Sequence, residues 1–183
     1  MGSFATRATN YALYQTGWFL CIIGAGNGYP NAGALAAFVL VAAHVFLTSD
    51  RGNEIKLLLI AGAFGVVIDG FQQFSGLLHF AGDEYLPLPL WVVAIWVQFA
   101  TLLRFCLNWL QRRYLQASVF GFLGGPLAYL AGVRFEAATM PNGALPPMIY
   151  IAVIWSIALP LLVFIREKIA PTDGVYGFAK RMD

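Results

Sequence analysis

The amino-acid sequence predicts an all-α, polytopic integral membrane protein, a bundle of about six transmembrane helices with both termini on the cytoplasmic side. Three observations carry that prediction. Apolar residues make up 60% of the 183-residue chain and charged residues only 11%, far from the roughly 25% charged residues of an ordinary soluble domain. Runs of about 20 predominantly apolar residues, the length a helix needs to cross roughly 30 Å of hydrocarbon, recur with short polar breaks between them. Nine of the eleven Lys and Arg residues fall on one side of a six-span arrangement, the bias that assigns that side to the cytoplasm.

The first span is placed at residues 10–26. One positive charge, an apolar centre and small residues after it also fit a cleaved signal peptide. Tyr11, Tyr14, Gln15 and Trp18 interrupt the apolar core, however, and Asn27 to Pro30 turns the chain into the next span, so the helix is read as retained. Further spans follow at 31–48, 55–78, 86–110, 114–134 and 147–166. In the third, Gly62, Gly65, Asp69, Gln72 and Gly76 are separated by 3, 4, 3 and 4 residues, so small and polar groups share one helical face, with Gln73 beside it and His79 continuing the series. The fourth carries Gln98, Thr101, Arg104, Phe105 and Asn108 along a mixed face, with the Arg104 stem placed to snorkel to the inner headgroups. The fifth holds GFLGGPLAYLAG, in which Gly121, Gly125, Ala128 and Gly132 form a second small-residue stripe beside Gly124, and Pro126 frees the Phe122 carbonyl. The sixth is apolar apart from Ser156. Residues 1–169 thus form one transmembrane domain and residues 170–183 a flexible cytoplasmic tail.

Arg7, Arg51, Lys56, Arg112, Arg113, Arg166, Lys168, Lys180 and Arg181 set the orientation; Arg104 and Arg134 are the two others. The net charge of +2 therefore describes topology, and no nucleic-acid partner follows from it. Cys21 and Cys106 lie toward opposite membrane faces, which speaks against a disulfide and leaves them as small apolar fillers.

Asp69 is the unusual residue. Counted from Ile55, it lies about 21 Å along the helix at 1.5 Å per residue, in the outer half of the membrane. An ionisable group there costs about 2.5–3.5 kcal/mol on insertion scales and is a functional candidate by default. It can be protonated, paired with Arg134, or hydrogen-bonded to glutamine and aromatic partners. The candidate ligand-binding set is Asp69, Gln72, Gln73, His79, Gln98, Arg134, Glu136 and Trp18, with Asp83 and Glu84 in the loop after span three. The competing reading is a buried network that locks spans three, four and five together, with Gly62, Gly65, Gly76, Gly121, Gly124, Gly125, Pro126 and Gly132 as helix-packing positions. His44 and His79 sit at opposite depths, so neither a haem nor a metal site is expected, and no cofactor is.

With two histidines the chain has no histidine boxes, no HExxH and no histidine-rich phosphatase signature; it also lacks a DDxxD run and a GxSxG elbow. Lipid enzymes built on those plans are excluded, leaving acid and base work by Asp69, His79 or Glu136 as the enzymatic option.

The order YQTGWF (14–19), DGFQQFSGLLHF (69–80), PLWVVAIWVQFATLLRFCLNWL (89–110) and GGPLAYLAG (124–132) resembles a family of small bacterial inner-membrane proteins known as domain of unknown function twenty-eight seventy-eight, over about residues 10–168. Where the family pattern has tryptophan, aspartate and GGP, the matching positions are Trp18, Asp69, Trp91, Trp96, Gly124, Gly125 and Pro126. The resemblance supplies no activity; it implies a setting near enzymes that modify membrane fatty acids, beside which members are often encoded. The expectation is a non-catalytic accessory subunit of the bacterial inner membrane in lipid modification or envelope lipid handling, with membrane lipids, and a membrane-protein partner or a second copy, as its company. A small proton-coupled transporter or flippase acting as an oligomer, and a lipid enzyme with acid and base residues near the outer interface, are the alternatives.

Overall fold

The computed structural model describes residues 4–82 and 87–169. Asp83, Glu84, Lys180, Arg181 and the proposed tail at 170–183 lie outside the described residues. Six α-helices run in order: α1 (Phe4–Gly26), α2 (Pro30–Leu47), α3 (Arg51–Ser75), α4 (Leu90–Leu102), α5 (Tyr114–Arg134) and α6 (Leu145–Ile169). The fold is all-α apart from a two-residue antiparallel ladder, β1 (His79–Phe80) with β2 (Ala138–Thr139), in which His79 faces Thr139. Three helices, α2, α5 and α6, are long and apolar enough to cross a membrane. α1 and α3 have the length, at 23 and 25 residues, but carry polar stripes.

Local chemistry sets the boundaries. Pro30 opens α2, where a missing N–H costs nothing. Gly76 ends α3 with a φ of 70°, while Leu77 N–H donates back to the Gln72 carbonyl at 3.1 Å, a helix stop that a side chain would strain. Gly76 is therefore a terminator, and its expected packing role is corrected. The ladder that follows pins the α3–α4 and α5–α6 connections at one end of the bundle.

The fourth span is also corrected. Instead of a helix over 86–110, α4 stops at Leu102, the chain turns through residues 103–107, and a single 3₁₀ turn spans Asn108–Leu110. No glycine or proline marks this stop. The Thr101 carbonyl accepts the Asn10 amide at 3.2 Å, and Phe105 N–H turns to the Leu102 carbonyl at 3.0 Å. A tertiary partner thus competes with the i→i−4 ladder.

α4 is the innermost helix, packed by α1, α2 and α3, while α5 and α6 form a close pair that leans on α3. Small residues permit the close approaches. A Cβ on Gly65 would lie 2.4 Å from the Trp96 ring of α4, and one on Gly121 would lie 2.1 Å from the Trp155 carbonyl of α6. Gly62 and Gly125 serve the same two contacts. A Cβ on Gly124, by contrast, would meet nothing within 4 Å, so this position is not a packing one.

Candidate functional site

The polar stripe of α3 converges on Asp69, which is 1% exposed. Gln72 Nε2 donates to Asp69 Oδ1 at 2.6 Å, the Tyr129 hydroxyl of α5 donates to the same oxygen at 2.5 Å, and Trp96 Nε1 of α4 donates to Oδ2 at 2.7 Å. Three helices are joined through one carboxyl group. The indole reaches it because Gly65 leaves room for the ring against α3, and its other face stacks on Trp155 at 4.6 Å and 21°. Every neighbour in that network is a donor, which suits the acceptor-only carboxylate form.

Beside Asp69 a cavity of about 390 Å³ opens between α1, α4 and α5, with Trp155 and Leu159 of α6 at its floor. On α5 it runs from Phe120 to Gly132, about 18 Å at 1.5 Å per residue. Its walls are almost entirely apolar and aromatic, and Gly124, Gly125 and Ala128 make the α5 wall thin. α1 and α5 come together at their C-terminal ends: the Phe19 and Phe135 rings meet edge to face at 6.2 Å, and Gly26 lies against the Phe135 carbonyl. Phe80, Trp91 and Ala138 line the cavity at that same end. At the other end Tyr11 and Phe120 are exposed.

A second buried cluster lies at the opposite end of the bundle. Arg104 donates to Glu54 Oε2 at 2.9 Å and to Asp50 Oδ2 at 3.0 Å, and His44 Nε2 stands 2.9 Å from Glu54 Oε1. Asn10 Nδ2 is 3.5 Å from His44 Nδ1, which suits a tautomer with the proton on Nε2. Glu54 is fully buried and Arg104 is 2% exposed, so the pair holds together by satisfying each other's charge. Burial pushes the Asp50 carboxyl up, but hydrogen bonds from Asn53 and Arg104 outweigh it and hold the group below its ordinary value. Arg104 therefore does not snorkel to a surface: the acids of the α2–α3 corner draw it inward.

The family described as Protein of unknown function (DUF2878) matches residues 7–161, a range that contains both clusters and the whole cavity lining. The chain belongs to that family. No curated protein and no solved structure matches it.

Within the DUF2878 chain the candidate residues separate into groups. Asp69 and Gln72 share the buried network, and Trp18 lines the cavity. Gln98 is buried elsewhere, pressed against Gly17 and donating to the Ala37 carbonyl at 3.2 Å, so it ties α4 to α1 and α2. Gln73 accepts the Phe80 N–H at 2.9 Å and braces the ladder. His79, Arg134 and Glu136 are exposed around that ladder, away from Asp69. Of the options for Asp69, pairing with Arg134 is thereby corrected; its partners are the glutamine and the two aromatic side chains.

Tyr129 is the residue that sequence reasoning overlooked most easily. It sits in GGPLAYLAG at four residues from Gly125 and three from Gly132, hence on the small-residue face, and that spacing was a usable signal. Glu54 gave none. It stands between Arg51 and Lys56 in what looks like a solvated turn, and its partners come from positions 10 and 50 residues away.

Proposed function

We propose that this DUF2878 protein is a multi-pass protein of the bacterial inner membrane, both termini cytoplasmic, that holds a membrane amphiphile in the cleft between α1 and α5. It acts as a non-catalytic accessory in membrane-lipid modification or envelope lipid handling. The observation that carries this reading is the cavity itself: about 390 Å³, within the range of small-molecule sites, apolar along its length with one carboxylate at its side. The three apolar helices and the one-sided distribution of Lys and Arg support the membrane placement.

Gly124 supplies the test. A side chain added there points into open space, so Gly124→Leu fills the cleft without displacing a helix. Lipids co-purifying with the wild-type protein, counted by mass spectrometry, should be lost from Gly124→Leu while the melting temperature holds. An identical lipid complement in both proteins would sink the reading.

A further inference from the structure

We infer that the cleft selects amphiphiles whose head donates hydrogen bonds and bears no negative charge, a long-chain alcohol or amine in chemical class, with that head at Asp69. The inference rests on the reading of the cleft as a lipid site and adds to it a rule of selection.

Among the described residues that line the cavity there is no Lys, Arg or His; Asp69 is the charged group. A phosphate or carboxylate head entering beside it would meet a like charge and find no cation. The carboxylate itself keeps accepting capacity. Asp69 Oδ1 takes two hydrogen bonds but Oδ2 takes one, from Trp96, which leaves Oδ2 with accepting capacity. Two of the donors beside Asp69, the Tyr129 hydroxyl and the Trp96 indole, are spent on its carboxylate; a further one, the Trp155 indole N–H, has no acceptor among the described residues and can donate to the oxygen of a hydroxyl head. The aromatic rings of Phe80 and Trp91 stand at the same end, and aromatic faces favour an ammonium. From there the apolar walls lead away along α5 from Tyr129 to Phe120, about 14 Å at 1.5 Å per residue, a path for one extended hydrocarbon chain.

The experiment uses the full-length protein in phosphatidylcholine nanodiscs at neutral pH, with three probes of equal chain length: an n-alkyl alcohol, the n-alkylamine and the n-alkyl carboxylate. Equilibrium binding to the wild type should favour the alcohol and the amine over the carboxylate by about ten-fold or more. Tyr129→Phe, which removes a competing donor from Oδ1, should widen the gap, and Asp69→Asn should narrow it. Equal binding of all three heads by the wild type, with Gly124→Leu abolishing it, overturns the selection rule and leaves the lipid site standing. Binding of all three that Gly124→Leu does not change, or no binding of any probe, overturns both.

Discussion

At Asp69 three donors from three helices meet one carboxylate, and its removal would strand a buried indole N–H, an amide and a phenol. Each orphaned buried donor costs about 1–3 kcal/mol. Asp69→Leu should therefore lower stability in detergent by at least about 3 kcal/mol, whereas Asp69→Asn, which keeps an acceptor, should lose less than half as much; thermal unfolding of the two variants side by side checks this. The Glu54 cluster predicts a comparable loss of about 3 kcal/mol for Glu54→Ala, because buried Arg104 would keep only the part-exposed Asp50 and His44 would lose its carboxylate partner. Asp50 adds a pH signature. Its folded value is depressed, so its contribution is present above the ordinary carboxylate value of about 4 and fades as pH falls through the lower folded value. Asp50→Asn should flatten the acid limb of an unfolding curve below about pH 4 and leave the neutral region unchanged in slope. What was legible at this scale was the isolation of an acid among apolar residues. Its partners were less so, since Trp96 reads as packing in any apolar helix and nothing local announces that an indole N–H points at a carboxylate.

The α-helices show how differently neighbouring glycines can behave. Gly121 and Gly124 stand three residues apart in α5, yet a Cβ on the first collides with the Trp155 carbonyl and a Cβ on the second meets nothing. Gly121→Ala should destabilise the α5–α6 pair by about 1–3 kcal/mol through overpacking. Gly124→Ala should stabilise the protein by up to about 1 kcal/mol through helix propensity. Opposite shifts in melting temperature are the expected readout. The small-residue stripe in GFLGGPLAYLAG was readable from spacing, because a period of 3.6 residues is enough to line up glycines on one face. The stop at Leu102 was not. TLLRFCLNWL contains no breaker, and the helix ends there because Asn10, 91 residues earlier, takes the Thr101 carbonyl.

At the scale of the whole molecule, the α5–α6 pair and the body formed by α1, α2, α3 and α4 enclose a cleft that neither contains alone. A single sequence displays periodicity within one helix, not the distance between two that never touch along most of their length, so the cavity had no local signature. The proposed topology is testable at the two ends of the bundle. In a variant with Cys21 and Cys106 replaced by alanine, a cysteine at Ala144 should react in intact cells with a membrane-impermeant thiol reagent. One at Gly52, an open position at the start of α3, should react only after the cells are broken.

The contact of Gly26 with the Phe135 carbonyl has a kinetic consequence. In the proposed membrane placement, two parallel helices fastened near one tip and parted below behave like a clothes-peg whose jaws face sideways into the surrounding lipid. In the proposed placement a guest would slide in from the leaflet without visiting water. Its exchange rate would then follow the fluidity of the bilayer, slowing when the acyl chains freeze, and would be indifferent to how poorly the guest dissolves outside.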